Sequence, residues 1–149
     1  MSGERAIPRT TTEVFTRDYA FQTYERYSME TPRAYETGAR NLAALGGGVQ
    51  NGDSILEIGA GTGNSTMVLA ESNPKFQKIV AVEPSRGFLS AATYKFRGLA
   101  IDFGLKELPE DLQGFFEELR SRAAVFQDKV EIVNGRAESL PFRNSTFDK

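Results

Sequence analysis

The sequence predicts an α/β fold in which short parallel strands alternate with helices. Three apolar runs, at residues 54–58, 78–82 and 130–133, have the length and the β-branched content of buried strands. Segments with helical spacing of apolar residues separate these runs, and the first run passes directly into a glycine-rich loop. Alternation of this kind predicts a parallel sheet with ligand-binding loops at the carboxyl ends of its strands.

Helical patterns fill the intervals between the strands. Thr31 and Pro32 are predicted to be the N-cap and the first residue of a helix that ends at the glycines of residues 46–48. Apolar residues at helical spacing follow the glycine loop over residues 64–71. Another helix is predicted to begin near Ser85, after the second strand.

Two segments allow more than one interpretation. An apolar stripe over residues 108–126 predicts an amphipathic helix that packs in the core, while a role as a cap or a partner-binding helix stays open. Near the N-terminus, Tyr19, Tyr24 and Tyr27 are close together in the sequence. We expect them to pack an N-terminal helix onto the sheet, and the alternative is a lid over a binding site.

Composition excludes several classes of protein. The chain has 149 residues, 40% of them hydrophobic, which suffices for one globular core. It contains no Cys and no His, so we expect no disulfide, no thiolate nucleophile and no metal site. The formal net charge is −2, and acidic and basic residues are interspersed. The sequence therefore shows no cluster of basic residues of the kind that binds nucleic acid or an anionic membrane surface. No apolar run reaches membrane-spanning length and no secretion signal is present, so we expect a cytoplasmic protein.

Three glycines, Gly59, Gly61 and Gly63, alternate directly after the first strand. A glycine at such a position lets a ligand approach the main chain, and the helix that follows offers free N–H groups. A tight turn between strand and helix would also explain them. The glycines alone therefore leave the ligand open.

Two acidic residues narrow the choice of ligand. Glu57 lies inside the apolar first strand, where a carboxylate needs a cation or a hydrogen-bond donor. Glu83 ends the second strand, where a carboxylate can accept both hydroxyls of a ribose. Asn64 occupies the place of the third glycine of a dinucleotide-binding fingerprint, and a pyrophosphate would be repelled by Glu57. A ligand with a ribose, a positive charge and no phosphate fits better, and S-adenosylmethionine is such a ligand.

Three motifs resemble those of a known family. The segments ILEIGAGTGNST (55–66), VAVEPS (80–85) and NGRAESLPFRNSTFDK (134–149) are similar to the cofactor motifs of class I S-adenosylmethionine-dependent methyltransferases, especially the group that acts on small molecules. This resemblance covers residues 53–149 and implies methyl transfer to a small-molecule acceptor. It also implies a Rossmann-like sheet, of which the chain would be the N-terminal half with strand order 3-2-1. We identify no family signature in the N-terminal arm or at residues 98–127.

The resemblance implies a role for each residue that matches a motif. The residues and their implied positions are Glu57, Gly59, Ala60, Gly61 and Gly63 at the methionine end of the cofactor, Glu83 at the ribose, Pro84 and Ser85 beside the adenine, and Ala137 and Glu138 at the adenine ring. Arg136 stands where many relatives have an Asp that accepts from the adenine amino group, and an arginine cannot accept. Glu138 would have to replace that Asp, or affinity would be reduced. No catalytic residue can be named.

The extent of this resemblance also divides the chain into two parts. We divide the chain into an N-terminal arm and helical segment, residues 1–48, and a partial S-adenosylmethionine-binding domain, residues 49–149. The family's sheet has seven strands in the order 3-2-1-4-5-7-6, and the fourth is expected to begin at residues 147–149. We therefore expect a truncated chain whose first strand has an open edge, through which homo-oligomers would form.

Two other functions stay open at this point. A nicotinamide-dependent oxidoreductase would also use the alternating glycines and Glu83, although Asn64 and Glu57 disfavour it. A non-catalytic module that binds the cofactor or a partner would keep the motifs without turnover.

Overall fold

The computed structural model of the protein describes residues 20–98 and 110–149. In those ranges the elements, in chain order, are α1 (Glu25–Glu30), α2 (Pro32–Leu45), β1 (Ser54–Ile58), α3 (Asn64–Ser72), β2 (Lys78–Glu83), α4 (Arg86–Arg97), α5 (Glu110–Ala124) and β3 (Val130–Asn134). A π-helical turn, Ala20–Tyr24, precedes α1, and a 3-10 turn, Ala137–Ser139, follows β3.

The three strands form one parallel sheet with β2 in the centre. Leu56 of β1 lies opposite Val80 of β2, and Val80 lies opposite Glu131 of β3. The predicted α/β class and the 3-2-1 order of strands are therefore confirmed. Because all three strands run the same way, their carboxyl ends meet at one edge of the sheet.

The predicted strands agree closely with the observed ones. β1 has the predicted bounds, while β2 and β3 each extend one residue further, to Glu83 and Asn134. The helix predicted near Ser85 begins with Ser85 as its N-cap, since the Ser85 hydroxyl oxygen accepts the Phe88 N–H at 3.3 Å. The acidic side chain of Glu83 is thus placed between the end of a strand and the beginning of a helix.

Thr31 has a different role from the predicted one. It precedes α2, and Pro32 is the first residue of that helix, but the Thr31 side chain makes no cap hydrogen bond. Its hydroxyl donates instead to the Tyr27 carbonyl at 2.7 Å, and its N–H donates to the same oxygen at 2.9 Å. The residue therefore closes the end of α1, because the two helices follow each other with one residue between them.

The main core joins the sheet to α3, α4 and α5. Its buried side chains include Ile55, Met67, Phe76, Ile79, Phe96, Leu119, Phe126 and Val130. Within α5 the buried residues are Leu112, Phe116, Leu119 and Ala123, so the described part of the predicted stripe packs in the core. Leu108 and Pro109 lie outside the described residues.

A second cluster of buried side chains links the N-terminal segment to α4 and α5. It consists of Ala20, Phe88, Ala91, Tyr94 and Phe116, with Tyr24 packed against it. The ring centroids of Tyr24 and Phe88 are 5.0 Å apart. Tyr24 thus packs the N-terminal segment onto α4, not directly onto the sheet as predicted, whereas Tyr27 is half exposed and Tyr19 lies outside the described residues.

The last two residues of the chain lie beside the free edge of β1. The Leu56 N–H donates to the Lys149 carbonyl and the Asp148 N–H to the Ser54 carbonyl, both at 2.8 Å. The Asp148 carboxylate also accepts the Ser54 N–H at 2.8 Å. These main-chain bonds are at the place where a fourth strand was predicted to begin.

Among the described residues, no helix combines the length and the apolar content needed to cross a membrane.

Candidate cofactor site

The glycine loop folds over the end of the central strand. The N–H groups of Gly59 and Ala60 both donate to the Val82 carbonyl, at 2.8 and 3.1 Å. Gly59, Gly61 and Gly63 have φ angles of 75°, 60° and 85°, which side-chain-bearing residues rarely adopt. The loop therefore needs its glycines for main-chain conformation as well as for space.

The space around the three glycines differs from one to the next. Among the residues that the structure describes, a Cβ atom at Gly59 would meet no atom within 4 Å, and one at Gly61 would meet only Phe88, at 3.8 Å. A Cβ at Gly63 would lie 3.2 Å from both Ala92 and Phe96 of α4. Two reasons for the glycines were considered, a tight turn between strand and helix and the close approach of a ligand. The structure separates them by position: Gly63 permits close packing of α4, whereas Gly59 leaves open space.

Glu83 connects the loop to the start of α4. One carboxylate oxygen accepts the Gly61 N–H and the other accepts the Ser85 N–H, both at 2.8 Å. The residue is 5% exposed. Each carboxylate oxygen can accept two hydrogen bonds, and the described residues donate one to each, which leaves one acceptor position per oxygen unused within those ranges.

Glu57 receives hydrogen bonds from the first turn of α3. The hydroxyls of Ser65 and Thr66 both donate to its carboxylate. A donor or a cation near Glu57 was expected from the sequence, but these two residues were not identified as its donors. Hydroxyl residues at the second and third positions of the helix after the loop were the available signal. Because the donors come from the chain itself, burial of Glu57 does not by itself require a cationic ligand.

The charge of Glu57 remains poorly stabilised despite these two bonds. Loss of water around the carboxyl group raises the pKa of Glu57 above its ordinary value, and the nearby charge of Glu83 raises it further. The hydrogen bonds from Ser65 and Thr66 act in the opposite direction. Two carboxylates at the edge of one loop thus create a local negative potential that a cationic group would relieve.

A cavity of about 280 Å³ adjoins the loop. Its walls are Tyr24 from the N-terminal turn, Gly38 and Ala39 from α2, Gly59 and Gly61 from the loop, and Asn64 from α3. A second cavity of about 620 Å³ lies beside β1 and includes Glu57 in its lining. Gly59 lines both, so the open space at this glycine is continuous with the two cavities.

The third motif lies at the same edge of the sheet. The Asn134 side chain donates to the carbonyls of Glu83 and Pro84, at 3.0 and 3.1 Å, which ties the end of β3 to the end of β2. Ala137 and Glu138 begin the exposed 3-10 turn that follows. The site residues expected from the sequence therefore lie at or near the carboxyl ends of all three strands, and their roles toward a cofactor stay predictions.

The fold and the motifs at this edge of the sheet define a class I S-adenosylmethionine-dependent methyltransferase. The chain belongs to the protein-L-isoaspartate(D-aspartate) O-methyltransferase family, whose model matches residues 5–119. Membership confirms the class predicted from the motifs, and with it S-adenosylmethionine as the cofactor of that class. The match extends over the N-terminal arm and part of the 98–127 stretch, where the sequence analysis identified no signature, and it ends before the third motif.

Two solved structures with TM-scores above 0.5 agree with the fold. A putative S-adenosyl-L-methionine-dependent methyltransferase from Methanococcus maripaludis is 18% identical and aligns over 91% of this chain and 48% of its own, with a TM-score of 0.55. A putative methyltransferase in a complex with the Haloferax volcanii Trm112 methyltransferase activator is 14% identical, with coverage of 95% and 46% and a TM-score of 0.51. The YcgJ protein from Bacillus subtilis is 20% identical, with coverage of 75% and 36% and a TM-score of 0.48.

The chain spans between about a third and a half of the length of these structures. A comparison with curated protein sequences gives no match.

Proposed function

We propose that the chain binds S-adenosylmethionine and supplies the cofactor half of a methyl-transfer reaction. The observation that carries the proposal is the pair of carboxylates, Glu57 and Glu83, on either side of a loop with open space at Gly59. S-adenosylmethionine combines a sulfonium and an ammonium group with a ribose diol and carries no phosphate. A negative, glycine-lined edge suits each of those groups.

Each part of the cofactor has a candidate partner in this arrangement. Glu57 and the loop would hold the methionine end, because Glu57 lines the larger cavity and forms no ion pair with any residue of the described ranges. The free acceptor positions of Glu83 would take the ribose hydroxyls. Pro84 and Ser85 would adjoin the adenine, with Ala137 and Glu138 at the edge of its ring.

The chemistry that the bound cofactor supplies is an activated methyl group on a sulfonium. The contribution of this chain would be to orient that group toward the acceptor and to exclude water. Holding the reacting atoms about 3–3.5 Å apart in line can account for much of the rate enhancement of such a displacement. No residue of the described ranges is proposed as a general base.

Calorimetric titration tests the proposal directly. We expect the chain to bind S-adenosylmethionine and its demethylated product, S-adenosylhomocysteine, with micromolar dissociation constants, and to show no heat with NAD. Binding of NAD alone would overturn the proposal in favour of the nicotinamide alternative. Binding of neither ligand by a chain with a cooperative thermal transition would also count against it.

The pH dependence of binding should report the ionisation of Glu57. Because its pKa is raised, Glu57 loses its charge on acidification at a higher pH than an ordinary glutamate does. We expect affinity for S-adenosylmethionine to fall on acidification, beginning at a higher pH than an ordinary glutamate would give, and by about tenfold once Glu57 is protonated, the scale of one ionic hydrogen bond. The chain has no His, so no imidazole contributes to this change.

Glu57→Gln provides a control in which binding and stability should change in opposite directions. The variant should bind weakly at every pH. A raised pKa means that the folded state disfavours the ionised form, so this group's contribution to stability is present at low pH and is lost as the pH rises through the raised pKa. The variant should therefore have a higher Tm than the wild type at pH 8 and a similar Tm at pH 4. An unchanged pH dependence of binding in Glu57→Gln would contradict the assignment.

Two acceptors are candidates for the methyl group. The motif that includes Ala137 and Glu138 resembles that of enzymes acting on small molecules, which supports the small-molecule acceptor expected from the sequence. The family description instead names protein L-isoaspartate and D-aspartate as the O-methylated groups. Transfer of labelled methyl to an isoaspartyl peptide, assayed beside small phenols and carboxylic acids, separates the two. A base-labile label on the peptide would identify a methyl ester.

A protein partner is a further proposal. One structural neighbour was solved in a complex with a methyltransferase activator, which supports testing this chain for a partner protein. Self-association through the β1 edge is the alternative expected from the sequence. Sedimentation of the isolated chain at increasing concentration tests self-association, since a chain that remains monomeric excludes it over that range.

A further inference from the structure

A lysine is buried beside the glycine loop. Lys95 of α4 and Glu25, the first residue of α1, form an ion pair in which both side chains are 0% exposed. Every other ion pair formed within the described ranges keeps 11% or more of each side chain exposed. Burying both charges is costly, and an apolar pair of similar size would commonly give equal or greater stability. Stability alone therefore does not explain this pair.

The Lys95 ammonium uses all of its hydrogen-bonding capacity. It has three N–H donors, and it has three acceptors: the Glu25 carboxylate, the Thr62 carbonyl at 2.9 Å and the Asn64 side-chain oxygen at 2.7 Å. The Asn64 amide group also donates to Glu25 at 3.4 Å. The Lys95 ammonium thus joins three parts of the chain: its own helix α4, the first residue of α1, and the segment from the glycine loop to the start of α3.

Two of the three acceptors belong to the proposed cofactor site. Thr62 lies between Gly61 and Gly63, and glycines on both sides give this segment little conformational preference of its own. The hydrogen bond from Lys95 to the Thr62 carbonyl therefore restricts its conformation. Asn64 is the first residue of α3 and lines the 280 Å³ cavity together with Gly61. Lys95 therefore holds the loop and the start of α3 in one arrangement.

The third acceptor connects the site to the N-terminal helices. Glu25 follows Tyr24, which lines the same cavity and packs on Phe88. Fixing Glu25 fixes the position of Tyr24, and thereby one wall of the cavity. The same ion pair thus positions two groups that line the 280 Å³ cavity, Asn64 and Tyr24.

We infer that Lys95 is a positioning residue that couples the docking of α1 to the order of the glycine loop, so that cofactor binding and α1 docking favour each other. The inference rests on the proposed function, because the ligand of the loop is taken to be S-adenosylmethionine. By linkage, a ligand that binds the ordered loop must strengthen the docking of α1 to the same extent that docking strengthens its binding. Asn64, which replaces the third glycine of a dinucleotide fingerprint, has its role in this network.

The test compares single and double substitutions of the pair. In Lys95→Met one buried charge loses its partner, so Tm should fall sharply. The double variant Lys95→Met/Glu25→Leu removes both charges of the pair and should recover most of that loss. Its dissociation constant for S-adenosylhomocysteine should nevertheless stay about tenfold above that of the wild type, because the Thr62 carbonyl and Asn64 still lack their donor. A merely structural pair would recover both properties together.

Two further variants serve as controls. Lys78→Met makes the same change of residue type in an exposed pair with Glu131, and its dissociation constant should stay within twofold of the wild-type value. Glu25→Gln keeps one oxygen acceptor for Lys95, so its affinity should lie between that of the wild type and that of the double variant. A double variant that binds S-adenosylhomocysteine as tightly as the wild type would overturn the inference.

Amide hydrogen exchange separates this inference from the proposed function. In the wild type, S-adenosylhomocysteine should slow exchange in both the loop, residues 59–64, and α1. In the double variant, exchange of the loop and of α1 should be faster than in the wild type even without ligand. If the wild type binds no S-adenosylhomocysteine, the proposed function fails. The exchange rates of the wild type and the double variant without ligand still test whether Lys95 couples α1 docking to the order of the loop. Loop exchange that is equal in the two proteins would overturn it.

Discussion

Replacing Glu83 with glutamine is expected to weaken the binding of S-adenosylhomocysteine by about 100-fold. The carboxylate accepts the N–H groups of Gly61 and Ser85 and would accept the ribose hydroxyls with its remaining positions. In Glu83→Gln the amide NH₂ must face one of those N–H donors, and the negative charge is lost. Two hydrogen bonds to a charged acceptor, at about 1.5 kcal/mol each, correspond to roughly this factor. Calorimetric titration at neutral pH measures it.

Glu131→Gln is the matched control for this experiment. Glu131 lies on the neighbouring strand β3 and forms an exposed ion pair with Lys78. The same change of residue type there should leave affinity within twofold of the wild-type value, since exposed pairs contribute little. If Glu83→Gln were folded and bound S-adenosylhomocysteine within threefold of the wild type, the assignment of Glu83 to the ribose would be wrong.

Replacing Gly63 with alanine is expected to lower the free energy of unfolding by about 3 kcal/mol. The φ angle of 85° costs a residue with a Cβ about 1–2 kcal/mol. The new methyl group would also lie 3.2 Å from both Ala92 and Phe96, and such crowding typically costs about 1–3 kcal/mol. Denaturant titration followed by circular dichroism measures the change. The loss is a substantial fraction of the total stability of an ordinary domain, which is about 5–15 kcal/mol.

Two other glycines separate strain from crowding. Gly59→Ala carries the strain of a positive φ without a close neighbour, so it should cost about 1–2 kcal/mol. Gly114→Ala, in the interior of α5 with open space around it, should stabilise the chain by about 0.5–1 kcal/mol. If Gly63→Ala were no more destabilising than Gly59→Ala, packing of α4 against the loop would not be the reason for Gly63.

The sheet and the loop could be predicted because their determinants are local in sequence. Residues 54–58 form a short β-branched run that ends directly at the glycines, and each feature limits the conformation of its own segment. The position of Glu83 followed in the same way from the end of a second run. The alternation of strands and helices predicted a parallel sheet, whereas the order of its strands was implied by the resemblance to the methyltransferase family.

Contacts between distant segments could not be predicted in this way. Thr31 has the sequence signature of an N-cap, yet its hydroxyl bonds to the preceding helix, because α1 and α2 are separated by one residue. Lys95 and Glu25 are 70 residues apart, and a charged residue in an amphipathic helix is usually exposed. Only the packing of α1 and α4 around the loop shows that these two charges are paired in the interior.

The hydrogen bonds of Glu83 to Gly61 and Ser85 bear on the entropy of ligand binding. The chain makes these bonds with itself, so they hold a three-glycine segment in one shape without any contribution from a ligand. A segment of that composition would otherwise lose considerable conformational freedom when it bound. Because these two bonds form during folding, the Gly61 end of the loop is ordered before a ligand arrives, and less of the free energy of its contacts with a ligand is lost to ordering.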